Sequence, residues 1–416
     1  MNSDIIVIGG GAAGMMAALF AARGGAKVTL LEKNEKLGKK VYITGKGRCN
    51  VTNACEDVDE FLREVPRNPR FLYSALRHFG PFDMLSLLSD LGCETKIERG
   101  RRAFPVSDHA SDVTKALEKS LRQAGVEIRL HSEVKRILTE ESRVTGVLLA
   151  DGRVLSSAAV IVCAGGLSYP STGSTGDGLK WAKELGLNVS PTLPSLVGLR
   201  TKEAWPAELQ GLTLKNICLT GYSCGRIIYS ELGELLFTHF GVSGPLALTL
   251  SSHLPEDGRC EATLNLKPGL TPEQLDQRLT RELSAAGKKQ LSTVMQTLLP
   301  QRFAALFPAL CGLDGKTPCS QVSAKMRKTI ADHLQALPLT IVGTRPIDEA
   351  VVTRGGVDVK GVSPNTLESK AVKGLYFAGE VLDVDAHTGG YNLQIAWSTG
   401  ALAGKSAAAA QKEGNA

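Results

Sequence analysis

The sequence predicts an α/β fold in which one parallel-sheet domain is built from both chain ends and interrupted by an inserted β-barrel-like domain and a helical subdomain. Three observations predict it. A strand, glycine turn, helix and second strand open the chain over residues 4–32. Apolar strands ending in glycine recur at 158–166 and 374–379. Between residues 190 and 345 the pattern shifts, first to short alternating strands and then to helical periodicity.

In the opening unit, Ile5-Ile6-Val7-Ile8 is apolar on both faces, as a parallel strand covered by helices requires. Gly9, Gly11 and Gly14 follow in G-x-G-x-x-G spacing. The first permits a tight turn, the second lets a pyrophosphate approach the backbone, and the third lets helix and strand pack closely. Ala12 and Ala13 begin the helix, whose unpaired N–H groups and dipole favour an anion. The second strand, 28–31, ends at Glu32, about 20 residues past the glycine turn, where an acceptor for a ribose hydroxyl is expected. Together these form a Rossmann-like dinucleotide site that fits NAD or FAD.

Lys33 and Lys40 follow, then Gly45-Lys-Gly-Arg48-Cys49-Asn50-Val-Thr-Asn53, which reads as a loop folding back over the same cofactor. Gly45 allows close backbone approach, Arg48 offers a forked cation for a phosphate or a polarised carbonyl, and Asn50 can pair with an amide edge. Cys49 reads either as a thiol near a reactive ring or as a small buried apolar residue. Residues 56–125 have helical, amphipathic periodicity, interrupted by the basic run Arg99-Gly-Arg-Arg102, which is either the lining of an anion pocket or a solvated loop. Strands are expected at 126–131, 134–138, 144–149 and 154–155, with Asp151-Gly152 as a hairpin turn. The strand ending in Cys163-Ala164-Gly165-Gly166 returns the chain to the cofactor.

The predicted domains are 1–190 with 346–416, 191–270 with 337–345, and 271–336. In the second, His239 stands in a segment dense in turn formers, either as a proton donor or as a structural residue. The last segment, from Ala350, returns to parallel-sheet character. It carries Gly379-Glu380, His387, Gly389-Gly390 and a final helix opening near Asn392 and Leu393. In a flavin enzyme the dipole of that helix stabilises negative charge on the reduced ring.

Composition narrows the class. The chain has 416 residues, 43% hydrophobic and 22% charged, and no run apolar enough to span a membrane. With no basic leader before the first strand, a cytoplasmic location is expected. The nine cysteines are scattered without a C-x-x-C pair, which argues against disulfides, a redox-active disulfide and a zinc site, so no metal is expected. A net charge of +6 is a mild excess.

A strand with Gly379-Glu380 followed by Gly389-Gly390 and a helix is the second half of an FAD site. With Gly9–Gly14, Gly45–Asn53, Phe237–Pro245 and Thr353–Val357, it makes the chain resemble the two-dinucleotide-binding-domain flavoproteins. It is more closely similar to the BaiN/RdsA family of NAD(P)/FAD-dependent oxidoreductases, also called aminoacetone-oxidase-type flavoproteins. The resemblance implies FAD as cofactor, with NADH or NADPH visiting transiently. Gly9, Gly11 and Gly14 then hold the pyrophosphate, Glu32 the adenosine ribose, and Val134 lies near the adenine. Lys40, Gly45, Arg48 and Asn50 belong to the cofactor loop, while Gly379, Glu380, Asn392 and Leu393 meet the ribityl chain and flavin. Ala12, Ala13, Lys33, Cys49, Ala164 and Gly165 complete the cofactor shell. The implied chemistry is hydride transfer to a conjugated C=C bond, in a uridine of large-subunit ribosomal RNA or a 3-oxo steroid diene. Arg48, Cys49, His239 and His387 are the candidate catalytic groups. Amine oxidation and a non-catalytic, flavin-bearing RNA-binding role are the alternatives. The partners implied are a small-molecule or ribosomal RNA substrate, with neither DNA nor membrane.

Overall fold

The computed structural model describes residues 3–414. They form two compact units, one made of the chain up to Ser195 and from Pro346 onward, the other of Leu196–Arg345.

The first unit is centred on a five-stranded parallel sheet of β1 (Ile5–Ile8), β2 (Val28–Leu31), β3 (Glu127–Arg129), β4 (Ala159–Val162) and β5 (Leu375–Phe377), in the order β5-β4-β1-β2-β3. Every residue of β1, β2, β4 and β5 is buried, which is why their sequences are apolar without alternation. The helices α1 (Ala12–Arg23) and α2 (Tyr391–Gly414) lie in direct backbone contact. A Cβ added at Gly400 or Gly404 would sit 2.2 Å from the carbonyl oxygen of Ala13 or Ala17. Two glycines one turn apart on α2 therefore join the last helix of the chain to the first.

An antiparallel meander of Val134–Glu140, Arg143–Leu149 and Val154–Ser156 lies alongside in sequence, with Asp151-Gly152 in its second turn. Two expectations need correction. Residues 56–125 are not helical throughout: Thr95–Glu98 and Arg102–Pro105 pair as antiparallel strands, and Arg99-Gly100-Arg101 is the turn between them. Gly100 and Arg101 both adopt positive φ there, a backbone conformation that no helix can pass through. The strand at Val352–Arg354 does not join the parallel sheet; it pairs antiparallel with Leu193–Ser195.

The second unit contains a closed six-stranded barrel, ordered Leu199–Thr201, Gly241–Ser243, Arg226–Thr238, Thr213–Ser223, Cys260–Asn265 and Leu337–Thr344. The helices Pro272–Ala286, Leu291–Met295, Gln301–Leu310 and Ala324–Gln335 share one core with it. Leu275, Leu279, Phe303 and Leu334 are buried with barrel residues Leu219, Phe237, Leu264 and Leu339. Trp205 links the two sets, stacked on Phe303 at 5.9 Å and edge-on to Phe237 at 5.4 Å. Among the described residues no helix is long and apolar enough to cross a membrane.

Candidate cofactor and active site

The turn between β1 and α1 separates the duties of its glycines. A Cβ at Gly14 would fall 1.8 Å from the carbonyl oxygen of Gly9, so this position admits only glycine while the turn keeps its shape. At Gly11 a Cβ would meet nothing within 4 Å, and the backbone is extended at φ −77°. Gly11 therefore faces open space, and it is not the chain's own packing that requires glycine there.

That space belongs to a cleft whose walls are drawn from both ends of the chain. Gly9, Gly11, Ala12 and Ala13 line it at the amino end of α1, and Asn392 and Leu393 line it at the amino end of α2. Glu32 lines it beyond β2. Its Oε2 accepts from the Gly10 N–H at 2.7 Å and its Oε1 from the Asn34 backbone and side-chain N–H groups at 2.8 and 2.7 Å. A carboxylate offers about four lone pairs, so Glu32 retains an acceptor for a hydroxyl.

Farther along, Lys40 donates to Glu380 and to Ser168 Oγ, both at 2.6 Å. Glu380 also accepts from Ser168 Oγ at 2.7 Å and from the Thr353 N–H at 2.9 Å. Burial opposes ionisation of Glu380, but the Lys40 ammonium and these hydrogen bonds outweigh it and hold the carboxyl below the usual range. Four segments distant in sequence thus meet at one charged knot.

Of the sequence-derived cofactor positions, the cleft gathers Gly9, Gly11, Ala12, Ala13, Glu32, Lys33, Lys40, Val134, Ala164, Gly165, Gly379, Glu380, Asn392 and Leu393. Gly14, Gly45, Arg48, Cys49 and Asn50 are not in its lining, although neighbouring Thr44 is. Asn50 Oδ1 is buried with no hydrogen-bond partner, so the 45–53 loop retains an unsatisfied acceptor.

Arg48, expected to face a phosphate or carbonyl, is committed instead to protein carboxylates. It donates to Glu98 at 2.5 Å and to Asp108 at 2.6 and 2.9 Å, and lies over the Phe104 ring at 4.1 Å. Cys49 is fully buried, and burial pushes its thiol up to about 12. His387 is buried beside Glu64, with Nδ1 at 2.9 Å from the carboxylate. His239 is exposed in the turn after Arg226–Thr238 of the second unit, edge-on to Phe240.

A family model, described as the HI0933-like protein Rossmann domain, matches residues 3–406. The chain belongs to the HI0933-like family. Among curated proteins, this HI0933-like chain is 33% identical over 410 residues to the 3-dehydro-bile acid delta(4,6)-reductase of Clostridium scindens, covering 97% of this chain and 98% of that one. It is 32% identical over 401 residues to the ribosomal RNA dihydrouridine synthase of Escherichia coli, covering 95% and 96%. The solved 3-ketosteroid delta1-dehydrogenase of Sterolibacterium denitrificans matches with a TM-score of 0.53 at 15% identity, over 98% of this chain and all of its own. At that identity the likeness shows the fold alone.

The cleft of this HI0933-like chain fits FAD. The open space at Gly11 has room for a pyrophosphate, two helix amino ends line the cleft, and Glu32 offers an acceptor. Sequence reasoning missed one wall. Thr172, Gly173, Ser174 and Asp177 line the cleft from a segment to which the sequence assigned no role. Its density of glycine and hydroxyl residues was the available signal.

Proposed function

We propose that this chain reduces a carbon–carbon double bond conjugated to a carbonyl, drawing electrons from NADH or NADPH, and that uridine of large-subunit ribosomal RNA is the first substrate to test. The observation supporting this is similarity along nearly the whole chain to a dihydrouridine synthase and to a bile-acid delta(4,6)-reductase. Both names describe hydrogen added across such a bond. FAD, when bound, supplies the hydride transfer.

In this reading the chain's own residues divide the work. Gly11 and the amino end of α1 hold the pyrophosphate, Glu32 the adenosine ribose, with Val134 near the adenine. Lys40, Gly379, Glu380, Asn392 and Leu393 serve the ribityl and flavin end. Of the candidate proton donors, His387 has its Nδ1 2.9 Å from the Glu64 carboxylate and lies on the 383–390 loop next to the cleft, outside its lining. A thiol at about 12 makes Cys49 too weak an acid, and Glu98 and then Asp108 hold the Arg48 guanidinium as a cation above its ordinary value.

Deleting the gene and mapping dihydrouridine in ribosomal RNA tests the substrate: loss of a site supports it, and an unchanged map removes it in favour of a small enone. Anaerobic addition of NADH and NADPH to the holoenzyme tests the electron donor. Bleaching of the flavin is expected with at least one, and none with either would refute the reductase reading. Rapid peroxide formation from an amine without nicotinamide would establish the oxidase alternative.

A further inference from the structure

The loop that delivers the amino end of α2 to the cleft, residues 383–390, is held by the segment Glu64–Asn68 and by single contacts elsewhere: Ser190 Oγ donates to Asp383 and Ser195 Oγ to Asp385, both at 2.7 Å, and Asn53 Nδ2 to the Gly389 carbonyl at 3.3 Å. Asp385 is fully buried, and its carboxylate accepts from Arg67 Nε at 2.9 Å and from Arg67 Nη2 at 2.6 Å to each oxygen. Asn68 Nδ2 donates to the Asp383 carbonyl at 2.7 Å. Glu64 is tied to His387 twice, by its carbonyl accepting from the His387 N–H at 2.9 Å and by its carboxylate at Nδ1. From the helix side, Asn392 Oδ1 accepts from the Ala386 N–H at 2.9 Å and its Nδ2 donates to the Ala386 carbonyl at 2.6 Å. The Asn392 side chain is therefore occupied with the loop, and α2 addresses the cleft at this point through its backbone.

We propose that Glu64, Arg67 and Asn68 are positioning residues: they fix the direction in which the amino end of α2 faces the cleft, and through it the reduction potential of bound FAD. The unpaired N–H groups of a helix's first turn favour an anion, and their influence falls off within that turn, so a small displacement of the loop changes it. The hardware is poorly accounted for by stability alone. Burying Asp385 completely carries a desolvation cost that an apolar pair of the same volume avoids, and the return on that cost is the fixed fork geometry between guanidinium and carboxylate. Three side chains from five consecutive residues then act on one loop, which suits aiming better than general cohesion. The inference rests on the FAD assignment and not on the choice of substrate.

Two variants test it in the purified holoenzyme, Arg67→Lys, which keeps the charge and loses the fork, and Asn68→Ala, which removes the carbonyl contact and leaves the ion pair. The reduction potential of bound FAD is measured by equilibration with redox dyes, alongside FAD stoichiometry and Tm. Arg67→Lys is expected to retain FAD and to lose at least tenfold of its preference for the reduced state, a shift of about 30 mV to more negative potential for a two-electron couple. Asn68→Ala is expected to shift less, in the same direction. Lower Tm values with both potentials unchanged would overturn the proposal and leave the segment a purely structural brace. If Arg67→Lys loses FAD, an unchanged potential in Asn68→Ala overturns it by itself. A normal potential in a wild-type protein that neither nicotinamide can bleach would refute the reductase reading alone.

Discussion

Alanine at Gly11 and alanine at Gly14 are the same change three residues apart, and the structure assigns them opposite consequences. At Gly14 the new methyl lands 1.8 Å from the Gly9 carbonyl oxygen, less than any Cβ contact can be, and the atom it meets is backbone in a tight turn. Relief requires β1 and α1 to separate by more than 1 Å, an overpacking cost of about 1–3 kcal/mol or more. At Gly11 the methyl meets no protein atom within 4 Å and the backbone is already in an ordinary region, so the apoprotein keeps its stability. Its effect falls on the ligand. A methyl in that space pushes a pyrophosphate off the helix N–H groups, and losing two charge-assisted hydrogen bonds at about 1.5–3 kcal/mol each weakens FAD binding by roughly 10²–10⁴-fold. Calorimetric titration of apoprotein with FAD, paired with thermal unfolding of the same apoprotein, separates the two effects. Gly11→Ala is expected to show wild-type Tm and weak binding, Gly14→Ala a lowered Tm. A Gly11→Ala protein that binds FAD with wild-type affinity would refute this placement of the pyrophosphate.

Three further outcomes follow from the same geometry. Lys33 Nζ reaches Asp177 at 2.7 Å and Thr175 at 2.5 Å, joining two walls of the cleft through partly exposed side chains. Since such pairs contribute only about 0–1 kcal/mol, Lys33→Ala should speed FAD release about twofold to fivefold, seen as recovery of free FAD fluorescence, with the difference fading at high salt. Because the carboxyl of Glu380 is depressed below its ordinary 4.5, its contribution is present above that pH and lost as pH falls through the lower folded value. FAD retention should therefore decline on acidification below about 4.5, and Glu380→Gln, weaker throughout, should lack that component; an identical acid profile in the variant would exclude Glu380 as its source. Cys49, fully buried with its thiol pushed up to about 12, should resist iodoacetamide near neutral pH while exposed Cys224 is alkylated, as read by peptide mass mapping. Labelling of Cys49 first would show the 45–53 loop to be open.

What the sequence determined by itself is local. Burial on both faces left its mark in Ile5–Ile8 and Ala159–Val162, and the glycine turn, Glu32 and the glycines before α2 could be assigned because each depends on backbone shape within a few residues. The βαβ unit, the meander strands, the change to barrel and helices, and the glycine-turn and Glu32 part of the cleft lining were legible in this way. The tertiary structure decided which charges meet. Arg48 looked available to a ligand until the fold brought Glu98 and Asp108, 50 and 60 residues away, onto its guanidinium. Lys40 and Glu380 are separated by 340 residues and lie 2.6 Å apart. The Thr172–Asp177 wall and the hold of Glu64–Asn68 on residues 383–387 were hidden for the same reason. A side chain's hydrogen-bonding capacity is written in its type, but its partner is set by which distant segments the sheet order and the Gly400–Gly404 helix contact place side by side.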